Sequence, residues 1–182
     1  MNYELIRSNR RTVSIGIKNG RIIVRAPLKM KEKEIELILN TNKSRIEKSL
    51  IKSAETEKAA RSEGMLSKEE LNALTLEAKK IISERVDYYA EIIGVSYGKI
   101  TIRTQRTRWG SCSSKGNLNF NCLLMLTPPQ VIDSVIVHEL CHLKEMNHSK
   151  RFYAEVYKAY PEYDRWNKWL KDNGPVIMRR AF

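Results

Sequence analysis

All three histidines of this chain fall within eleven positions, in VIVHELCHLKEMNHSKRF at residues 135–152. Any fold it adopts has to carry that cluster. Thr127-Pro128-Pro129 upstream is a helix-start signature, and Val131, Ile132, Val135 and Ile136 continue at helical spacing, so His138-Glu139-Leu140-Cys141-His142 is predicted to be helical. Residues four apart share a helix face with Cβ atoms roughly 5–6 Å apart. Two imidazoles so placed can converge on one zinc ion at about 2.0–2.1 Å per nitrogen. Glu139 is rotated by about 100° from His138, off the ion but within reach of a water beside it. Zinc lowers the pKa of such a water toward about 7, where a neighbouring carboxylate takes its proton. A catalytic site of this kind needs a third protein ligand and one open position. His148 is the expected ligand, because the chain leaving the helix can fold back; Glu145, three residues past His142, is the alternative. One zinc ion per chain is the expected cofactor.

The rest of the chain bounds what surrounds that cluster. At 182 residues it is long enough for a well-buried domain, with or without a small appendage. No apolar run approaches the roughly 18–20 residues that span a bilayer, and MNYELIRSNRR carries charges where a secretory leader is apolar. These features predict a cytoplasmic protein with no membrane partner. Cys112, Cys122 and Cys141 are an odd count without C-x-x-C spacing, hence reduced thiols rather than a disulfide framework. The net charge of +12 divides unevenly: residues 1–30 and 101–182 carry the excess, and 31–100 balance to zero. Such a surface suits either non-specific nucleic-acid binding or solubility alone.

Along the chain, TVSIGIKNGRIIVRA alternates about Asn19-Gly20 and predicts a β-hairpin with a type I′ turn. Residues 31–52 read as an amphipathic helix, and 52–64, lacking an apolar stripe, as a linker or a frayed helix end. Ser67-x-x-Glu70 is a capping box that opens a long helix stopped at Gly94. KITIR (99–103) and LNFNCLL (118–124) read as strands, with the polar RTQRTRWGSCSSKGN as a loop between them. Short helices at 149–159 and 162–172 precede Gly174-Pro175. The expected class is α+β: residues 1–55 a hairpin-plus-helix region, 65–182 a core built on the histidine helix.

The ordered series RTRWGSCSSKGNLNFNCLLMLTPPQVIDSVIVHELCHLKEMNHSKRF, and more weakly RRTVSIGIKNGRIIVRAP, resembles the YgjP-like metallopeptidases, relatives of the SprT-type zinc proteases within the zincin group. The resemblance covers nearly the whole chain. It implies a zincin-like catalytic core with an active-site helix and small sheet, with His138, His142 and His148 as zinc ligands and Glu139 as general base. Two departures stand out. Arg45-Ile46 replaces the family's tryptophan-isoleucine pair, and Asn121-Cys122-Leu123-Leu124 replaces N-W-R-L. Neither touches a proposed ligand.

Arg108, Trp109, Asn119 and Tyr153 are the candidate substrate contacts. Trp109 either lines the cleft or packs against the active helix with Gly110 turning the chain. Cys112 either approaches the metal or lies apart from it. The strand containing Asn117–Leu123 is a candidate edge along which an extended peptide could add, and Tyr153 and Arg108 are candidate donors to an oxyanion. The leading expectation is a zinc-dependent endopeptidase acting on a protein or peptide. The alternatives are a protease working on DNA-bound proteins, a zinc hydrolase of non-peptide amides, and a metal-stabilised module without turnover.

Overall fold

The structure, a computed structural model, describes residues 2–18 and 20–182. The chain divides into two compact units, Met1–Ala59 and Ala60–Phe182. In the first, strands Tyr3–Ser8 (β1), Ser14–Lys18 (β2) and Arg21–Pro27 (β3) form a sheet of order β1-β3-β2. β2 and β3 are antiparallel, as the hairpin pattern predicts, and Gly20 adopts φ 70°; Asn19 of the expected turn lies outside the described residues. β1, which runs parallel to β3, is an addition to the strands read from the sequence. Alternation along β3 puts Ile22, Val24 and Ala26 on one face, where they bury against Ile35 and Leu39 of helix Glu32–Thr41 (α1) and Ile46 of helix Lys43–Glu63 (α2).

The helix expected over 31–52 is therefore two, broken at Asn42. The stretch expected as a linker or frayed end is regular helix to Glu63. Its Ala, Glu and Lys are strong helix formers, and that propensity prevails where no apolar stripe announces it.

In the second unit, helix Lys68–Ile93 (α3) starts at the predicted capping box: Glu70 N–H donates to Ser67 Oγ at 3.1 Å, and Ser67 N–H to Glu70 Oε2 at 2.7 Å. It ends at Gly94 in the left-handed region, φ 72°. Strands Ile100–Arg103 (β4), Gly110–Cys112 (β5) and Leu118–Asn121 (β6) follow, then a 3-10 turn at Cys122–Leu126. Helices Pro129–Cys141 (α4), Lys150–Ala159 (α5) and Tyr163–Arg179 (α6) complete the unit. Helices with small mixed sheets make the architecture α+β.

The centre of this unit is α4. Val131, Ile136, Val137 and Leu140 are fully buried, each contributing about 1.5–3 kcal/mol, and α3, α5, α6 and β5 pack around them. An ion pair between Arg85 of α3 and the largely buried Asp133 locks α4 in place.

Four expectations change here. β6 lies between β4 and β5, so it has no free edge for a peptide, and the strand read over 118–124 ends at Asn121. The loop expected between the strands contains β5, paired antiparallel with β6. The last helix runs through Gly174-Pro175 to Arg179, because Leu170 and Ile177 bury on either side of the proline. Among the described residues no helix is long and apolar enough to cross a membrane.

Candidate metal centre

The predicted helix places His138 and His142 one turn apart at the end of α4, with His142 as its C-cap. The chain then tightens: Leu143 N–H donates to Leu140 O at 3.0 Å and Lys144 N–H to Cys141 O at 3.1 Å. The turn is tied to α5 by the Lys144–Glu155 ion pair at 2.7 Å. His148 is delivered just before Ser149, whose hydroxyl caps α5 by accepting from Phe152 N–H at 3.3 Å. One ligating atom from each histidine lies within 4.8 Å of the others, and His148 Nε2 is 3.0 Å from His138 Nε2. This is the group among the described residues able to hold a metal; Glu145 and Cys112 are outside it.

Phe152 is the floor of the group. Fully buried, its ring lies 4.9 Å from His138, 4.6 Å from His142 and 4.9 Å from His148. The spacing Asn147-His148-Ser149-x-x-Phe152 thus has a physical reason: ligand, cap and floor in one turn.

The outer nitrogens are held as well. His142 Nδ1 donates to the Glu145 carbonyl at 3.2 Å, so Glu145 contributes its backbone rather than its carboxylate. His138 Nδ1 lies 2.8 Å from the hydroxyl of Tyr163, a buried residue of α6. With each Nδ1 donating its proton to these oxygens, each Nε2 would offer a lone pair to a metal. Burial, reinforced by the neighbouring imidazoles, lowers the His138 pKa to about 4, and burial lowers that of His142, keeping both rings neutral as ligation requires.

Glu139 is seated against β5. It is 6 % exposed, and burial raises its pKa to about 8 against the opposing pull of the Arg108 charge and the Cys112 N–H it accepts. A Cβ on Gly110 would lie 2.7 Å from both Cγ and Oε1 of Glu139. The carboxylate fits there because residue 110 has no side chain.

The model of one family, described as YgjP-like, metallopeptidase domain, matches residues 61–173, well over half of the chain. The chain belongs to the YgjP-like metallopeptidase family. It is accordingly a hydrolase of peptide bonds that works with a metal. Among curated proteins no match is found. Of solved structures, the metallopeptidase zymogen abylysin of Pyrococcus abyssi is similar at 21 % identity and a TM-score of 0.46, over 50 % of this chain and 93 % of that one. The zymogen of Methanocaldococcus jannaschii jannalysin is similar at 20 % and 0.45, over 50 % and 95 %.

In this YgjP-like metallopeptidase a cleft of about 220 Å³ opens beside His138 and Glu139. Residues 107–110 form one wall, Ser134 and Val135 of α4 a second, and Tyr163, Asn167 and Leu170 of α6 a third. Arg108 and Trp109 are thus brought to the site. Trp109 lines the cleft, one of the two expectations for it, and its indole packs on α6, where a Cβ on Gly174 would stand 2.9 Å away. Asn119 is not among the lining residues; its amide donates across the strands to Ser111 Oγ at 3.3 Å. Tyr153 lies beside the metal group instead, its ring 6.3 Å from that of His148. Burial and the Glu139 charge raise the Cys112 thiol pKa, which keeps it protonated.

Two residues of the site escaped the sequence reading. Tyr163 follows His138 by 25 positions with no local pattern to join them. Asn121, fully buried, donates its amide to Gln105 O at 2.8 Å and Arg108 O at 3.0 Å, clamping the loop that leads into β5; its signal was present as the first residue of the N-W-R-L position. Tyr163→Phe keeps the ring and removes the hydroxyl. It is expected to weaken metal affinity about 10–100-fold with little change in melting temperature, as read by chelator competition. An unchanged affinity would leave the hydroxyl without a role in orienting His138.

Proposed function

We propose that the chain is a zinc-dependent endopeptidase in which His138, His142 and His148 hold the metal and Glu139 is the general base. The observation that carries this is the convergence of three imidazoles within 4.8 Å, with a buried carboxylate one position along the same helix. The donor set fits zinc: three imidazole nitrogens, with His138 and His142 oriented through their Nδ1 atoms, would leave a tetrahedral ion one open position. Bound there, zinc would supply the positive charge that polarises a scissile carbonyl and acidifies water.

The chain's own groups do the rest. Glu139 takes a proton from the attacking water as its oxygen adds to the carbonyl carbon, and gives it to the amine nitrogen as the C–N bond breaks. Carboxylic acid and amine products result. Cys112 N–H and the absent side chain at Gly110 hold that carboxylate in place. The cleft walls orient a residue flanking the scissile bond. In this reading residues 60–182 are the catalytic core and residues 1–59 an appended module.

Elemental analysis of purified wild type and His148→Ala tests the ligand set. About one zinc per chain in wild type, largely lost from the variant, is expected. Equal metal in both would assign the third ligand elsewhere.

A second feature favours a phosphate-bearing partner for residues 1–59, which hold fourteen Lys and Arg against seven Asp and Glu. There Arg45, Lys48 and Lys52 line one side of an open cleft with Thr41, Asn42, Ser44 and Ser49, and no carboxylate lines it. A protease bound to nucleic acid would show affinity falling steeply with salt. No binding at low salt would make the charge a surface property only.

A further inference from the structure

We propose that the cleft beside Glu139 selects a substrate carboxylate, with Arg108 as the specificity-determining residue. That carboxylate is either an Asp or Glu side chain flanking the scissile bond or the C-terminus of a peptide cut near its end. The inference rests on the peptidase reading for the place of the cleft and adds what the cleft admits.

Its volume, about 220 Å³, lies below the roughly 300–1,000 Å³ of small-molecule sites and suits one side chain. Val135, Leu170 and Trp109 give it an apolar body that takes methylene groups. The polar groups around that body are unequal. Ser134 already donates its hydroxyl to Val131 O at 2.8 Å. Glu139 is committed to Cys112 N–H and to the seat at Gly110. Arg108 is exposed and makes no ion pair or side-chain hydrogen bond among the described residues, yet stands near enough for its charge to act on Glu139. An unpaired guanidinium fork at an open cleft matches the two oxygens of a carboxylate.

The backbone under that fork is fixed on both sides. Asn121 holds the carbonyls of Gln105 and Arg108, its N–H donates to Trp109 O at 2.8 Å, and the Trp109 indole rests on Gly174. A cation carried on an anchored backbone loses less freedom when it captures its partner. A Lys or Arg side chain would meet like charge in the same place, so the arrangement rejects as well as selects. The net charge of +12 also draws acidic peptides toward the protein.

The test uses the full chain, zinc-loaded, on the Glu139→Gln background so that peptide is bound and not consumed. Fluorescent heptapeptides identical except for a central Glu, Gln or Lys are titrated, each with a free and an amidated C-terminus. Expected is at least about tenfold tighter binding of the Glu peptide over the Gln peptide, or of free over amidated termini. Adding Arg108→Gln should bring that ratio near one, and Arg108→Glu should favour the Lys peptide. A ratio that survives amidation identifies a side chain; one lost on amidation identifies the terminus. A ratio near one on the parent background, or an unchanged ratio after Arg108→Gln, overturns the proposal, as does a uniform loss across all peptides. Turnover of the same peptides by wild type reports on the peptidase reading separately. Absence of cleavage beside a tenfold binding ratio would sink that reading and leave this one standing.

Discussion

Replacing Glu139 with Gln is expected to cut peptide hydrolysis about 10²–10⁴-fold or more while leaving metal content at the wild-type level. The amide has the carboxylate's shape and fills the seat against Gly110 and Cys112, but its nitrogen cannot take a proton from water. Glu139 is not one of the three metal-holding residues, so the metal should stay. Elemental analysis and single-turnover assays on the same preparations make the check, and near wild-type rates would remove Glu139 as the base. The substitution should also change the pH dependence of the metal-free protein. Burial raises the Glu139 pKa from 4.5 to about 8, so folding takes up a proton between those values. The Glu139 contribution to wild-type stability therefore falls as pH rises from 4.5 to 8 and levels off above, a cost of a few kcal/mol that Gln does not carry. Metal-free melting temperatures at pH 5 and pH 9 should diverge between the two proteins, with the variant ahead at pH 9.

Gly110→Ala should be nearly as damaging to activity, from outside the metal group. Gly110 is not among the glycines at positive φ, so an alanine there meets no backbone penalty and the effect is steric. Its Cβ would stand 2.7 Å from Glu139 Cγ and Oε1, and the carboxylate would have to move. A displacement of about 1 Å at a reacting group costs on the order of 10²-fold in rate. The fold should tolerate the extra methyl at a cost of about 1–3 kcal/mol. The expected result is a hundredfold lower kcat/KM with metal content and far-ultraviolet circular dichroism unchanged. Activity within threefold of wild type would show that the carboxylate is not held where this glycine lets it sit.

How much of this could be read in the sequence depends on the range of the forces involved. α4 was legible because a proline start, an apolar periodicity and two histidines four apart are all local. The capping box at Ser67 was legible for the same reason. β5 was not: Gly110-Ser111-Cys112 has little strand propensity and becomes a strand only because β6 pairs with it. The central position of β6 is likewise a property of three segments together. Tyr163 and Gly174 serve the site through contacts with His138 and Trp109 that span 25 and 65 positions. A family resemblance supplies the order of such segments but not the distances between them.

The last helix, α6, holds Tyr163 against His138, Leu170 and Asn167 along the cleft, and Gly174 beneath Trp109. On the ribosome these residues emerge after the histidines, after Glu139 and after the loop they support. The cleft is therefore complete only once α6 has been synthesised and packed, although the metal ligands lie earlier in the chain.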